Sequence, residues 1–373
     1  MANRIKEKYM AGKRYFDYPM LFLVIFLICF GLVMIYSTSS YKSTVTYGNS
    51  YHWLLRQAVA IVLGAVAMVV CCKLDYHIIK SEKFGNGCYW ASIVLLVLVL
   101  IIGAAKKGAV RWISIAGFQF QPSEVSKILV VIYLANRLSA NAHKIRTFKD
   151  SIVIVLPTVP IIALIVTQNL STALVVCSMI GVMLFVVSPK MKELMLTAGG
   201  GIILLFVYLL TANSYRNERV QIWLHPESHK KGFQTMQALY AIGSGGLFGK
   251  GLGQSMQKLG FLPEANNDMI FSVICEELGL FGALCVLALF FALIWRFMVI
   301  AVNAPDLYGS MIVVGVIAHI GIQVFINIAV ATNTIPNTGI PLPFISYGGS
   351  SLVFMLLEMG LVLSVSRYIN VKK

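Results

Sequence analysis

Long apolar runs separated by short polar stretches make up most of the chain. Charge-poor segments recur from residues 20–36 to residues 307–357. A helix needs about 20 apolar residues to cross a hydrocarbon core of about 30 Å, so several of these segments can cross a bilayer once or twice. The pattern therefore predicts ten spans, at about residues 18–36, 54–72, 86–104, 123–137, 151–167, 171–188, 194–212, 268–302 with a break, 308–332 and 350–368.

Composition agrees with the hydrophobic pattern. Of the 373 residues, 58% are hydrophobic and only 12% are charged, unlike ordinary soluble domains. The seven cysteines lie in or beside the predicted spans without the spacing of a disulfide framework or a metal site. We therefore expect an all-α membrane protein, a single polytopic domain over residues 1–373. It has about ten transmembrane helices and a large external loop, residues 213–267, between helices 7 and 8.

Basic residues predict the orientation. They cluster before the first span and in alternate loops, which places those segments on the cytoplasmic side. Ten spans return the C-terminus, with Arg367, Lys372 and Lys373, to the same side. The first apolar segment lacks a clear cleavage site, so we expect it to remain as the first helix. Both termini are predicted to be cytoplasmic.

Three carboxylates stand at the head of a very apolar predicted helix: Asp268, Glu276 and Glu277. Polar groups inside a membrane helix usually mark function. Asp268 follows two asparagines and is predicted to be the N-cap of this helix, with Ser272, Cys275 and Glu276 below it on one face. A purely structural cap is the competing interpretation of Asp268.

The predicted external loop between the third and fourth spans is basic, on the side where cations are scarce. Lys106, Lys107 and Arg111 precede a helix start, and Glu124 and Lys127 follow in its first turn. A solvated loop with a helix cap is the simpler interpretation. The lysine inside the span and the cations on the wrong side favour a site for an anionic lipid headgroup.

The loop of residues 213–267 is long enough to be functional. Arg216 and Arg219 face one way near its start. The glycine-rich run at 243–254 lacks the ending of a nucleotide P-loop, so we expect flexible re-entrant backbone, with direct phosphate contact as the alternative. Gly279 and Gly282 predict a break in the next helix, and residues 338–351 predict an uncharged loop that re-enters a protein-lined cavity. Glu358 is a buried acid in the last span without an obvious partner.

These stretches together resemble the SEDS family (shape, elongation, division and sporulation), the FtsW, RodA and SpoVE group of bacterial peptidoglycan polymerases. The resemblance covers nearly the whole chain. The matching pieces, in order, are Tyr36-Ser37-Thr38-Ser39, Arg111-Trp112-Ile113, Gln121-Pro122-Ser123-Glu124 with Lys127, Tyr215-Arg216 with Arg219, Gln234 with Gln237, residues 241–246, Leu262-Pro263-Glu264, Asn267-Asp268, Glu276-Glu277 and residues 341–351. Where many members carry Pro-Asp-Leu-Gly-Thr, this chain has Gln168-Asn169-Leu170-Ser171-Thr172, which puts a carboxylate role there in doubt.

The resemblance implies ten membrane helices in the bacterial cytoplasmic membrane and lipid II as the substrate. It implies Asp268 as the essential catalytic residue and a class B penicillin-binding protein as a partner, beside other divisome or elongasome membrane proteins. No nucleic acid partner is expected, and the FtsW-like division branch is favoured. No cofactor is certain, and a divalent cation, Mg or Mn, is left open. The candidate substrate-binding residues are Arg111, Glu124, Lys127, Arg216, Arg219, Gln234, Gln237, Lys258, Ser346 and Ser350.

A lipid diphosphate is a good leaving group once cations stabilise it, so a single base suffices for its displacement. Asp268 is predicted to take the proton of the acceptor hydroxyl, and Arg111, Lys127, Arg216 and Arg219 to stabilise the diphosphate. The α-linked donor and β-1,4 product implied by the family make the reaction inverting. The runner-up is a lipid II flippase without covalent chemistry, which buried charges and broken helices also suit. A third alternative is a scaffold that anchors a partner enzyme.

Introduced cysteines test the predicted orientation. In intact cells a membrane-impermeant maleimide should label Ser228→Cys and leave Ser139→Cys unlabelled until the membrane is opened. The unsubstituted chain provides the background from its seven native cysteines. The reverse pattern of labelling would contradict the orientation.

Overall fold

The computed structural model describes residues 15–106, 109–115, 118–145, 147–188 and 220–369. This part of the chain is an all-α membrane protein with one small sheet. Its helices, in chain order, are α1 (Tyr18–Tyr47), α2 (His52–Lys73), α3 (Glu82–Ile102), α4 (Pro122–Asn141), α5 (Phe148–Val155), α6 (Val159–Gln168), α7 (Leu170–Val187), α8 (Phe233–Ser244), α9 (Ile270–Asn303), α10 (Leu307–Ala331) and α11 (Gly349–Ser366).

Eight spans in the described residues are long and apolar enough to cross a membrane, and they match eight of the ten predicted ones. α5 and α6 form one of these spans, Lys149–Gln168, with a short 3-10 turn at Leu156–Thr158 between them. The predicted fourth span is α4, a helix of 20 residues that carries Glu124 and Lys127 and is not among the eight. The predicted seventh span, at 194–212, lies outside the described residues. α1 continues to Tyr47, well past the predicted end at residue 36.

The predicted external loop between the third and fourth spans contains an antiparallel sheet that sequence patterning did not predict. Its strands are β1 (Ala104–Lys106), β2 (Ala109–Ile115) and β3 (Phe118–Phe120), in the order β1-β2-β3. Ala104 lies opposite Trp112, and Ile113 lies opposite Phe120. β1 and β3 have only three residues each, and the seven residues of β2 do not alternate strictly between apolar and polar. The sheet joins α3 to the start of α4.

α10 and α11 are the most buried of the eight spans. Small residues let neighbouring helices approach them closely, as is common in membrane proteins. A Cβ atom on Gly315 of α10 would lie 2.5 Å from Val131 Cγ1 of α4. A Cβ atom on Gly360 of α11 would lie 2.5 Å from the Met68 carbonyl oxygen of α2. α10 therefore lies at the centre of the described helices, between α4, α7, α9 and α11.

α9 is 34 residues long and is broken at Gly279, whose φ of 68° and ψ of −168° are not helical. The break confirms the prediction of a kink there. A kink removes helical hydrogen bonds, and the glycine-rich run replaces them. Lys250 N–H and Gly251 N–H donate to the carbonyls of Glu276 and Glu277, both at 2.9 Å. In the other direction, Leu280 N–H donates to Gly246 O at 2.9 Å and Phe281 N–H to Leu247 O at 3.0 Å.

The side chains of Glu276 and Glu277 hold the same glycine-rich run and the segment after it. The Glu276 carboxylate accepts from Lys250 Nζ at 2.7 Å, from the Ser255 hydroxyl and from Met256 N–H. The Glu277 carboxylate accepts from Lys258 Nζ at 2.7 Å and from Ser37 of α1.

Both glutamates are fully buried. They act as internal counter-ions that fasten residues 245–258 to the kink.

The close approach of the glycine-rich run to the kink gives a stability test. Gly249 has a φ of 79°, and a Cβ atom there would lie 2.2 Å from Glu277 O. Gly253 has a similar φ of 81°, but a Cβ atom there would have nothing within 4 Å. Both alanine variants bear the cost of a left-handed backbone, about 1 kcal/mol. Gly249→Ala adds a steric clash, so we expect it to lower the thermal midpoint in detergent clearly more than Gly253→Ala. Equal midpoints would contradict the packing.

The Lys258–Glu277 pair gives a second stability test. Lys258→Met leaves the Glu277 carboxylate buried without its cation, which typically costs about 3–5 kcal/mol. Lys80→Met is the control, because Lys80 also lies 2.7 Å from a carboxylate, Asp306, but is 47% exposed. We expect a large fall in thermal midpoint for Lys258→Met and little change for Lys80→Met. Adding Glu277→Gln to Lys258→Met should restore much of the loss, and an unrestored double variant would contradict the ion-pair explanation.

Candidate active site

Asp268 lies in a tight turn just before α9 and is buried, with 8% of its surface exposed. The helix begins at Ile270 with Met269 as its N-cap, and no side chain makes the cap hydrogen bond. The prediction that Asp268 is the N-cap was therefore wrong. Asn267 N–H and Met269 N–H both donate to Glu264 O, and Glu264 has a left-handed φ of 54°. Because of this turn the helix begins at Ile270, two residues after Asp268, and the Asp268 carboxylate does not cap it.

Asp268 is positioned through its backbone by α10 and by the loop that follows α10. The Asn327 side-chain amide donates to Asp268 O and to Ile340 O, both at 2.8 Å. The carboxylate lies beside Gly339, where a Cβ atom would be 3.4 Å from Asp268 Oδ2. Asn327 thus joins the turn before α9 to the loop before α11, with the carboxylate between them.

The loop of residues 338–348 folds back into the protein, in agreement with the re-entrant prediction. Its apolar side chains Leu342, Phe344 and Ile345 are buried. The Ser346 hydroxyl donates to Asn267 O at 2.6 Å and accepts from Leu342 N–H at 2.8 Å. Ser346 therefore positions the residue next to Asp268. Ser350, the other serine predicted here, is buried in the first turn of α11.

Gln57 of α2 supports the same loop. Its amide oxygen accepts from Gly348 N–H at 3.2 Å. Its amide nitrogen lies 3.4 Å from Ser346 O. Sequence reasoning did not identify Gln57 or Asn327, because their hydrogen-bond partners lie far away in the chain.

Glu124 and Lys127 meet at the start of α4, as their spacing predicts, with 3.0 Å between carboxylate and ammonium. Both are buried, and Lys127 is only 1% exposed. Arg111 on β2 donates through Nε to Gln168 O at the end of α6, at 2.6 Å. The structure therefore gives both Lys127 and Arg111 a protein partner.

The remaining predicted binding residues are dispersed. Gln234 and Gln237 are half-buried on α8. Lys258 lies near the kink in α9, where it pairs with Glu277. Arg216 and Arg219 lie outside the described residues. Among the residues that the structure describes, no three His, Cys, Asp or Glu side chains group as metal ligands.

α10 carries a polar strip that sequence reasoning missed: His319, Gln323 and Asn327, all buried and four residues apart. This spacing places them on one face of the helix. His319 Nδ1 lies 2.8 Å from a Glu358 carboxylate oxygen of α11, so Glu358 has the partner that the sequence did not reveal. The signal available in the sequence was a repeat of polar residues every four positions in an otherwise apolar helix.

The geometry can support proton abstraction at the Asp268 end of the bundle. A buried carboxylate held in place by its own backbone is pre-organised, so little of its freedom is lost when a substrate hydroxyl approaches. Glu276 and Glu277 do not share this position, because their carboxylates are bonded to the glycine-rich run and to Lys258. The three carboxylates that the sequence brings together are thus divided between two sites.

Comparison with known proteins identifies the family of this chain. The family model of the FtsW/RodA/SpoVE cell cycle proteins matches residues 18–371. The stage V sporulation protein E of Bacillus subtilis is 40% identical over 362 residues, which cover 94% of this chain and 97% of that protein. The probable peptidoglycan glycosyltransferase FtsW of Geobacter metallireducens is 37% identical over 361 residues, 94% of each chain.

Solved structures show the same fold. A chain from a study of how a peptidoglycan synthase complex coordinates polymerization and crosslinking matches with a TM-score of 0.80 and 30% identity, over 94% of this chain and 98% of that chain. The rod shape determining protein RodA of Thermus thermophilus matches with a TM-score of 0.71 and 29% identity, over 96% and 98% of the two chains. The chain therefore belongs to the FtsW/RodA/SpoVE family of cell cycle proteins, the SEDS family.

Proposed function

We propose that the chain is an inverting peptidoglycan glycosyltransferase. It polymerises lipid II into β-1,4 glycan strands at the outer face of the bacterial cytoplasmic membrane and releases undecaprenyl diphosphate. The observation that carries the proposal is the position of Asp268, a buried carboxylate held by Asn327 on one side and by the Ser346 loop on the other. The names of the relatives from Geobacter support the same activity.

In this mechanism Asp268 accepts the proton of the acceptor sugar hydroxyl as that oxygen attacks the anomeric carbon of the donor. The bond from that carbon to the diphosphate oxygen breaks, and the lipid diphosphate leaves with the bonding electrons. Attack from the face opposite the leaving group inverts the anomeric centre. One carboxylate is enough, because a diphosphate does not have to be protonated to leave when cations stabilise it.

Four cations are proposed to stabilise the diphosphate. Arg111 and Lys127 are the described candidates, and Arg216 and Arg219 are the candidates outside the described residues. Lys127 has to exchange its Glu124 partner for a substrate oxygen, since the two side chains are paired in the structure. Arg111 likewise has a protein partner, since its Nε donates to Gln168 O at 2.6 Å.

The orientation and the partner form part of the proposal. Both termini are placed in the cytoplasm, which puts the turn at Asp268 near the external surface. A class B penicillin-binding protein is the proposed partner. The similarity to a chain from a peptidoglycan synthase complex that coordinates polymerization and crosslinking supports this choice. The flippase alternative shares the broken α9 and the buried charges but predicts no glycan product.

Asp268→Asn tests the proposed base. The amide has nearly the same size, and the Asn327 hydrogen bond is made to the backbone, so the variant should fold and reach the membrane at normal levels. Loss of a general base typically lowers the rate about a hundredfold to ten-thousandfold. We therefore expect purified Asp268→Asn protein to bind lipid II but to make little or no glycan from labelled lipid II.

Glu264→Gln is the matched control, because Glu264 lies in the same turn. It should retain most of the activity. Near-normal polymerisation by Asp268→Asn would contradict the assignment and return Glu264, Glu276 and Glu277 to candidacy. A wild-type protein that moves lipid II across vesicles without making glycan would support the flippase alternative.

A further inference from the structure

Four titratable side chains form a cluster inside the membrane between α4, α10 and α11: Glu124, Lys127, His319 and Glu358. All are buried, and the last three are at most 2% exposed. They form two pairs, Lys127 with Glu124 at 3.0 Å and His319 with Glu358 at 2.8 Å. The mechanism above uses the first pair and gives no role to the second.

The two pairs lie at the same level of the bundle. α4 and α10 touch where Gly315 meets Val131, and in the proposed topology they run in opposite directions. Lys127 lies four residues from Val131 on α4, and His319 lies four residues from Gly315 on α10. Both are therefore about one helical turn from this contact, on its external side. Glu124 interacts electrostatically with both Lys127 and His319. Glu124 thus has two potential counter-ions, one on its own helix and one on α10.

No other charged group faces His319 from the helices packed around it in the described residues. α7 carries no charged side chain. On α9, Glu276 and Glu277 are bonded to the glycine-rich run and Lys258, and Arg296 is paired with Asp17. The charge near His319 is therefore set by Glu124, Lys127 and Glu358.

The net charge of this cluster depends on one proton. With Glu124 and Glu358 ionised, Lys127 charged and the imidazole neutral, the cluster carries one net negative charge. One added proton makes it neutral. A net charge buried in a medium of low dielectric is costly, and a proton held between His319 and Glu358 removes that net charge. His319 Nε2 has no hydrogen-bond partner in the described structure, so His319 makes its protein contact through Nδ1 alone.

We propose that the His319–Glu358 pair is a proton-binding site that controls whether Lys127 is available to the substrate diphosphate. This inference rests on the proposed function. When the pair holds its proton, the imidazolium is a second cation beside Glu124. Moving Lys127 to a phosphate oxygen then leaves one net negative charge in the cluster, instead of the two that remain when the pair has lost its proton. When the proton is lost to solvent, Glu124 and Lys127 stay together and donor binding weakens. His319 is thus a positioning residue that acts through Glu124.

The pH dependence of the Michaelis constant tests the proposal. The full-length protein is assayed with labelled lipid II between about pH 5 and pH 9, the range that covers histidine titration. For the wild type we expect KM to rise as the pH rises, because the protonated pair is needed for donor binding, while kcat changes less. In His319→Gln we expect a KM raised roughly tenfold, as for loss of a charge-assisted contact, and independent of pH in this range.

Two further variants separate this role from a structural one. His319→Gln combined with Glu358→Gln leaves a neutral Glu124–Lys127 pair, so it should recover thermal stability relative to His319→Gln but keep the high, pH-independent KM. Ser364→Ala, on the same helix as Glu358, removes a hydroxyl that donates to Leu74 O and should keep the wild-type pH profile.

A wild-type pH profile and KM in His319→Gln would overturn the inference and leave the proposed function intact. A KM in the double variant that returns to the wild-type value together with stability would also overturn it, because the effect would then be structural. A wild-type protein that makes no glycan at any pH would instead contradict the proposed function itself.

Discussion

A charge or an unsatisfied backbone group inside a bilayer has no water to pair with, so the protein must supply every partner itself. This constraint explains most of the polar contacts in the structure. Four buried glutamates each have a basic partner. The pairs are Glu124–Lys127, Glu276–Lys250, Glu277–Lys258 and Glu358–His319. Three of these four pairs join segments that are distant in sequence. The ion pairs therefore act as tertiary contacts, and they determine which helices and loops can be neighbours.

The same constraint explains the kink in α9. A straight helix of 34 residues is about 51 Å long, which exceeds the thickness of the bilayer core. The break at Gly279 allows the first turns of α9 to take a different direction from the rest of the helix. The break exposes carbonyl and N–H groups that only another backbone can satisfy at such short range. The glycine-rich run fits because a Cβ atom at Gly245 or Gly249 would collide with the helix carbonyls. The glycine-rich run, which superficially resembles a phosphate-binding loop in the sequence, instead forms backbone hydrogen bonds with the broken helix.

Asp268 is held in a different way from the other acids. Its neighbours on both sides in sequence are fixed through their backbone, by Glu264 within the turn and by Ser346 from the re-entrant loop, and its own carbonyl is fixed by Asn327. A carboxylate placed in this way has a defined position. Asn327, which contacts the turn that carries Asp268, and His319, which pairs with Glu358, lie on one face of the same helix, α10.

Several features followed from the sequence alone, because they depend on local pattern. Apolar length predicted the eight spans found in the described residues, Gly279 predicted the break in α9, and the spacing of Glu124 and Lys127 placed both in the first turn of α4. The order of the motifs also identified the family. The importance of Asp268 was inferred from its position before an apolar run and from the resemblance, although its predicted role as N-cap was wrong.

Other features depend on contacts between residues far apart in the chain. The sequence shows that Glu276, Glu277 and Glu358 are acids in apolar helices, but only the tertiary structure supplies Lys250, Lys258 and His319 as their partners. The additional turn at Glu264 depends on a left-handed backbone at a residue that is not glycine, which no local preference predicts. Local pattern determined which segments become helices. The pairing of buried charges and backbone groups, which is set by the folded bundle as a whole, decided which acid lies at the candidate active site and which ones hold the fold together.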